Sequence, residues 1–224
     1  MNFLSHYYFE RFTAQPEHVL GGVLPDLLKN VNKQYNFFPQ RLEEKFFEYD
    51  KTRWISEGWY RHVEIDRLFH TSNFFIEHTH VLRKHLDPLV SHLPIRASFL
   101  AHISLELLLD HLLLDKQLIN PNRFYEHLEN VSYTTIDTYL GILGQIDIPR
   151  FFAFYERFLE SRYMLRYVEM QNLSHALLNI CKRVWGFEYL DSDIECLTSC
   201  LLSYKNELLG SYMSIFQEIH DKLT

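Results

Sequence analysis

The sequence predicts an all-α protein, a multi-helix bundle built around a central buried helix near residues 95–116. Three observations carry this prediction. Breakers are scarce, with 7 Gly and 7 Pro among 224 residues, so long helices are favoured over many short strands. Apolar residues recur with the helical period over long stretches, and no segment shows the alternation of a strand. The run LELLLDHLLLD at 105–115 is apolar on almost every side, the pattern of a helix surrounded by other helices. With 47% hydrophobic residues the chain can bury a sizeable core, so we expect a single all-helical domain over 1–224, with roughly seven to ten helices.

The elements follow in order. Residues 2–12 predict a short first helix. The stretch from Glu17 to Lys29 reads as helical, but Gly21-Gly22 and Pro25 interrupt it and allow close backbone approach and a bend beside Asp26. Residues 39–49 predict another short helix. Residues 51–86 form the longest periodic stretch, with only Gly58 as a breaker. Pro88 and Pro94 bracket a connection into helix 95–116. Asn120-Pro121-Asn122 reads as a turn, and 123–148 as short helices or loops around Gly141 and Gly144. Residues 149–160 and 162–185 are helical, stopped by Gly186. Asp191 to Lys222 makes the last helix, bent near Gly210.

Charge and cysteine content narrow the function. The net charge of −7 argues against a general nucleic-acid binder, and no apolar run has the length and flanks of a membrane span or signal peptide. The three cysteines, Cys181, Cys196 and Cys200, form no CxxC and support neither a zinc ribbon nor a disulfide framework, so a reduced, cytoplasmic protein is expected. No P-loop, GxGxxG or GxSxG is present, which turns attention from covalent catalysis to metal-activated water. A ferritin-like site would need paired ExxH motifs, which are also absent.

Two predicted helices carry ligand-type residues on faces that should be buried. On a helical wheel Ile55, Trp59, Asp66 and Phe69 fall within about 60° of His62, while Arg61, Glu64 and Arg67 lie opposite. His62, Asp66 and His70 thus form an H-x3-D-x3-H series. In the second helix His102, Glu106 and Asp110 share i, i+4 spacing, and His111 points roughly 100° away from Asp110. An uncompensated carboxylate in a helical core costs several kcal/mol. A divalent cation offsets that cost; so does a buried His–Asp hydrogen-bonded network. The other histidines read as surface or structural.

MNFLSH at the start, then GGVLPDLLK, GWYRHVEIDRLFH, SLELLLDHLLL and LRYVEMQNLSHALLNICKR occur in an order and spacing that resemble the acyl carrier protein phosphodiesterases, a divergent branch of the HD-type metal-dependent phosphohydrolases. The resemblance runs from residue 1 to about 185 and more loosely beyond. It implies an all-helical HD-like fold, an acyl carrier protein partner, and hydrolysis of the phosphodiester that joins 4′-phosphopantetheine to serine. It also implies a divalent cofactor, Mn2+ first, with Mg2+ or Fe2+ as alternatives. Carried over by motif, the metal positions are His6, Asp26, His62, Asp66, Asp110 and His111. Asp66, His70 and Asp110 are the candidate catalytic groups, and Glu106 and His70 are further metal or supporting candidates. The chain departs from the family pattern at His70, where an acid is expected, and at Glu106, where Asp is expected. It is also longer than typical members around 114–160. Arg166, Lys182 and Arg183 lie in a locally basic stretch that suits an acidic carrier protein. Two other readings stay open: a diverged phosphohydrolase acting on another phosphodiester or a nucleotide, and a non-catalytic helical module with a vestigial site.

Overall fold

The computed structural model describes residues 1–223. They form thirteen α-helices and two short 3-10 segments, with no strand among the described residues. In chain order the helices are α1 (Phe3–Glu10), α2 (Pro16–Gly21), α3 (Leu24–Val31), α4 (Glu43–Phe46), α5 (Asp50–His70), α6 (Asn73–Val90), α7 (Ala97–Asp115), α8 (Pro121–Asn130), α9 (Tyr133–Leu143), α10 (Ile148–Ser161), α11 (Met170–Trp185), α12 (Asp191–Leu208) and α13 (Tyr212–Leu223). The 3-10 segments are Pro39–Leu42 and Tyr163–Val168.

The count exceeds the expected seven to ten because local capping splits long periodic stretches. The 51–86 stretch is two helices: the Ser72 hydroxyl accepts from the Phe75 N–H and starts α6. Pro88 lies inside α6, near its end, and does not mark a connection. The expected turn at Asn120 is a helix start, with the Asn120 side chain accepting from the Asn122 and Arg123 N–H groups and Pro121 in the first turn. The segment from Glu17 to Lys29 breaks into α2 and α3 rather than bending, and the last helix divides near Gly210. Gly186 ends α11 as expected, at φ 64°, in the left-handed region that glycine adopts without strain.

The chain divides into two compact units. One comprises Met1–Ser5, Asp66–Leu118 and Arg166–Thr224; the other comprises His6–Ile65 and Ile119–Leu165. In the first, α6, α7, α11 and α12 pack on one another. Its centre is α7, where Leu100, Leu105, Leu108, Leu109, Leu112 and Leu113 are buried on all sides. Helix α7 is also the one described helix with the length and hydropathy to cross a membrane, but most of it is covered by protein, as in the core of a bundle. In the second unit α2 packs on α3 and α8, and α10 on α3 and α8. Buried aromatics fill its core, and the Tyr155 hydroxyl donates to the Leu128 carbonyl at 2.9 Å.

Two glycines fix how α2 meets α5. A Cβ on Gly21 would strike the Ile55 carbonyl, and one on Gly58 would strike the His18 carbonyl. The two backbones therefore touch where each lacks a side chain. At an exposed helix position Gly→Ala stabilises by about 1 kcal/mol. Here we expect the opposite sign: Gly58→Ala should cost about 2–3 kcal/mol through overpacking and lower Tm by roughly 4–12 °C. Thermal and urea unfolding of the variant check this.

Candidate metal centre

The glycine contact has a chemical consequence. It carries the Gly22 carbonyl to 2.9 Å from His62 Nδ1. A carbonyl only accepts, so Nδ1 carries the proton and the neutral ring presents its lone pair at Nε2. His62 Nε2 lies 3.9 Å from Asp26 Oδ1, near the start of α3. The His6 ring stacks on the His62 ring with centroids 3.9 Å apart. Both imidazoles are buried. In this unit the structure thus brings together His6, Asp26 and His62.

In the other unit Asp110 and His111 face different neighbours. Asp110 is fully buried, yet its carboxylate takes four hydrogen bonds from the first residues of the chain. Oδ1 accepts from the Ser5 N–H at 2.7 Å and the Ser5 hydroxyl at 2.6 Å. Oδ2 accepts from the Asn2 side chain at 2.8 Å and the Leu4 N–H at 3.2 Å. The carboxylate therefore caps the N-terminus of α1, where orphan N–H groups favour an anion. Burial pushes its pKa up to about 6, against the pull of the Ser5, Leu4 and Asn2 donors. Four donors fill the lone-pair sites of one carboxylate.

His111 Nδ1 lies 2.8 Å from the Tyr167 carbonyl and so carries the ring proton. Its Nε2 is buried and has no hydrogen-bond partner among the described residues. Burial lowers the pKa of His111, with the Tyr167 carbonyl opposing, so a neutral ring is favoured. A buried imidazole lone pair with no donor facing it fits a divalent metal, which needs a deprotonated nitrogen.

A third group gathers where α5 ends beside α7. His70 Nε2, His102 Nε2 and Glu106 Oε1 lie within 3.1–3.2 Å of one another, and their side chains are only partly exposed. Burial alone would raise the Glu106 pKa; the Met1 ammonium at 3.3 Å and the bonds to His102 and His70 reverse that and hold it well below the usual carboxylate range. Asp66 follows His62 by one turn of α5 and takes the Met1 ammonium at 2.6 Å. Of the basic residues, Arg166 and Arg183 are exposed, and Lys182 is bonded to Glu188 at 2.6 Å.

Comparison over the whole chain decides the family. The acyl carrier protein phosphodiesterase family matches residues 1–219. The chain belongs to the acyl carrier protein phosphodiesterase family. No curated protein and no solved structure gave a match. Within this member of the family, MNFLSH has a physical role: Asn2 and Ser5 are the residues that hold Asp110. Site reasoning from the sequence missed both. Their signal was present, since an Asn and a Ser flank the start of a helix that needs an anion, but nothing local names Asp110 as that anion.

Hydrogen bonds to a buried charge are worth about 1.5–3 kcal/mol each. Ser5→Ala should therefore destabilise by about 2 kcal/mol, and Asp110→Ala, which orphans four donors, by roughly 3–4 kcal/mol. Denaturant unfolding of both variants checks the order; a Ser5→Ala variant as stable as the parent would contradict it.

Proposed function

We propose that the chain is a divalent-metal-dependent phosphodiester hydrolase that removes 4′-phosphopantetheine from holo-acyl carrier protein. The observation that carries this reading is the family match over residues 1–219. The buried imidazoles of His62 and His111, each presenting Nε2 from a ring fixed by a backbone carbonyl, support it.

In one unit His6, Asp26 and His62 would hold the metal; in the other, His111 offers a further metal-binding nitrogen. Mixed imidazole and carboxylate donors suit Mn2+, with Mg2+ or Fe2+ as alternatives. When bound, such an ion lowers the pKa of water and neutralises charge on phosphate oxygens. The remaining tasks fall to the protein. Backbone carbonyls of Gly22 and Tyr167 orient the ligand rings. Asp110 acts as a positioning residue that anchors the first turn of α1, the helix that carries His6.

Hydrolysis forms a bond from water oxygen to phosphorus and breaks the bond from phosphorus to the serine oxygen. One proton must reach that leaving oxygen. Two groups are candidates for the transfer, Asp66 and His70. We assign it to Asp66, whose carboxylate, paired with the Met1 ammonium, would take a proton from the attacking water and pass it to the leaving oxygen. Arg166 and Arg183 are exposed and would steer an acidic carrier protein, while the Lys182–Glu188 pair leaves Lys182 a smaller part.

The test is mass spectrometry of holo-acyl carrier protein incubated with metal-stripped protein and added Mn2+. Loss of the phosphopantetheine mass is expected. His62→Ala should reduce turnover at least about 100-fold and lower bound manganese. No turnover with any divalent ion, alongside hydrolysis of another phosphodiester, would replace the substrate; no hydrolysis of either would reject the enzyme.

A further inference from the structure

The contacts among His70, His102 and Glu106 cannot all be satisfied by protons. His70 Nδ1 lies 2.8 Å from the Asp66 carbonyl, so that nitrogen carries a proton and the neutral ring has its lone pair at Nε2. That lone pair faces Glu106 Oε1 at 3.2 Å, and a carboxylate offers only lone pairs. It also faces His102 Nε2 at 3.2 Å. If His102 carries a proton on Nε2, that proton cannot serve the His70–Glu106 edge. If both rings are charged, two N–H groups face each other at 3.2 Å. Each protonation state leaves one edge of the triangle wrong. The Met1 ammonium, 3.3 Å from Glu106 Oε1, stabilises the carboxylate but does not answer the two imidazole nitrogens.

A cation seated about 1 Å above the centre of the triangle answers all three edges. Nitrogen and oxygen ligands sit about 2.0–2.2 Å from a zinc ion, so neighbouring ligand atoms of a tetrahedral site lie about 3.3–3.6 Å apart. Octahedral neighbours at the same bond lengths lie about 2.8–3.1 Å apart. The observed edges of 3.1–3.2 Å fall between these values. The supports are those of a ligand site. A backbone carbonyl fixes the His70 tautomer. His102 and Glu106 share one face of α7, one turn apart. The Phe75 ring stands edge-on to both imidazoles, at 5.0 Å from His70 and 4.9 Å from His102. The His102 side chain is 41% exposed, so a further coordination position can open to solvent.

We propose that His70, His102 and Glu106 form a second divalent-metal site, selective for a borderline transition ion such as Zn2+, with two imidazoles and one carboxylate as protein ligands. It is separate from the residues assigned to the hydrolytic metal and does not rest on the hydrolase reading.

The test is zinc binding, independent of turnover. Metal-stripped full-length protein and the His102→Ala variant are titrated with Zn2+ by calorimetry, and bound zinc is counted after desalting. The parent should retain one more equivalent than His102→Ala, and His62→Ala should keep that equivalent. Equal zinc stoichiometry and affinity in the parent and His102→Ala would overturn the site, as would its loss in a folded His62→Ala. X-ray absorption at the zinc edge of singly loaded His62→Ala supplies the check if His102→Ala fails to fold. Two imidazole scatterers with nitrogen and oxygen donors are expected; a sulfur shell or fewer than two imidazoles would reject the assignment.

Discussion

A neutral imidazole has one proton and one lone pair, and in a helical core the backbone decides which nitrogen receives which. Three histidines of this chain meet that decision in the same way. His62 gives its Nδ1 proton to the Gly22 carbonyl, His70 to the Asp66 carbonyl, and His111 to the Tyr167 carbonyl. Each bond leaves the lone pair on Nε2, farther out on the ring, where a metal can take it. Much of the surrounding structure serves these bonds. Gly21 and Gly58 exist as glycines because a Cβ on either would push the backbones apart and carry the Gly22 carbonyl away from His62. The 3-10 segment Tyr163–Val168 holds the Tyr167 carbonyl against α7. For His70 the partner is its own helix, one turn earlier.

The second constraint is charge within apolar surroundings. The leucines of α7 exclude water, which makes an ionised carboxylate costly. Asp110 meets the cost with four donors from Asn2, Leu4 and Ser5, and so converts a helix N-terminus that also needed a partner into a fixed element. Glu106 meets it with the Met1 ammonium and the His102 ring. Adjacent in sequence, Asp110 and His111 therefore do different work: one holds a helix in place, the other offers a nitrogen.

The architecture was legible where periodicity was strong. An apolar surface on all sides marks α7 as central, and Gly186 marks a helix end, because both signals are local. The divisions at Ser72 and near Gly210 were not legible, since the apolar period continues across each break and only a cap or a glycine interrupts it. Pro88 misled because a proline in the last turn removes one backbone hydrogen bond without stopping the helix, which runs on to Val90. The burial of His62 could be read from its place on the apolar face of α5, whereas Asp66, on the same face, is only half-buried. The bonds that give them meaning could not. Gly22 and Tyr167 contribute backbone carbonyls, which any residue can supply. Asn2 and Ser5 reach Asp110 across more than 100 residues of chain. His102 could be read as the companion of Glu106 on one helix face, but its approach to His70 is a contact across 32 residues of chain.

Imidazole tautomers can be observed directly by long-range proton–nitrogen correlation spectra of the metal-free protein at neutral pH, with the nitrogens assigned through His→Gln variants. The account predicts protonated Nδ1 and unprotonated Nε2 for both His62 and His111, with the Nε2 resonances moving when Mn2+ or a diamagnetic surrogate such as Zn2+ is added. A proton on Nε2 of either ring, unchanged by any divalent ion, would contradict it.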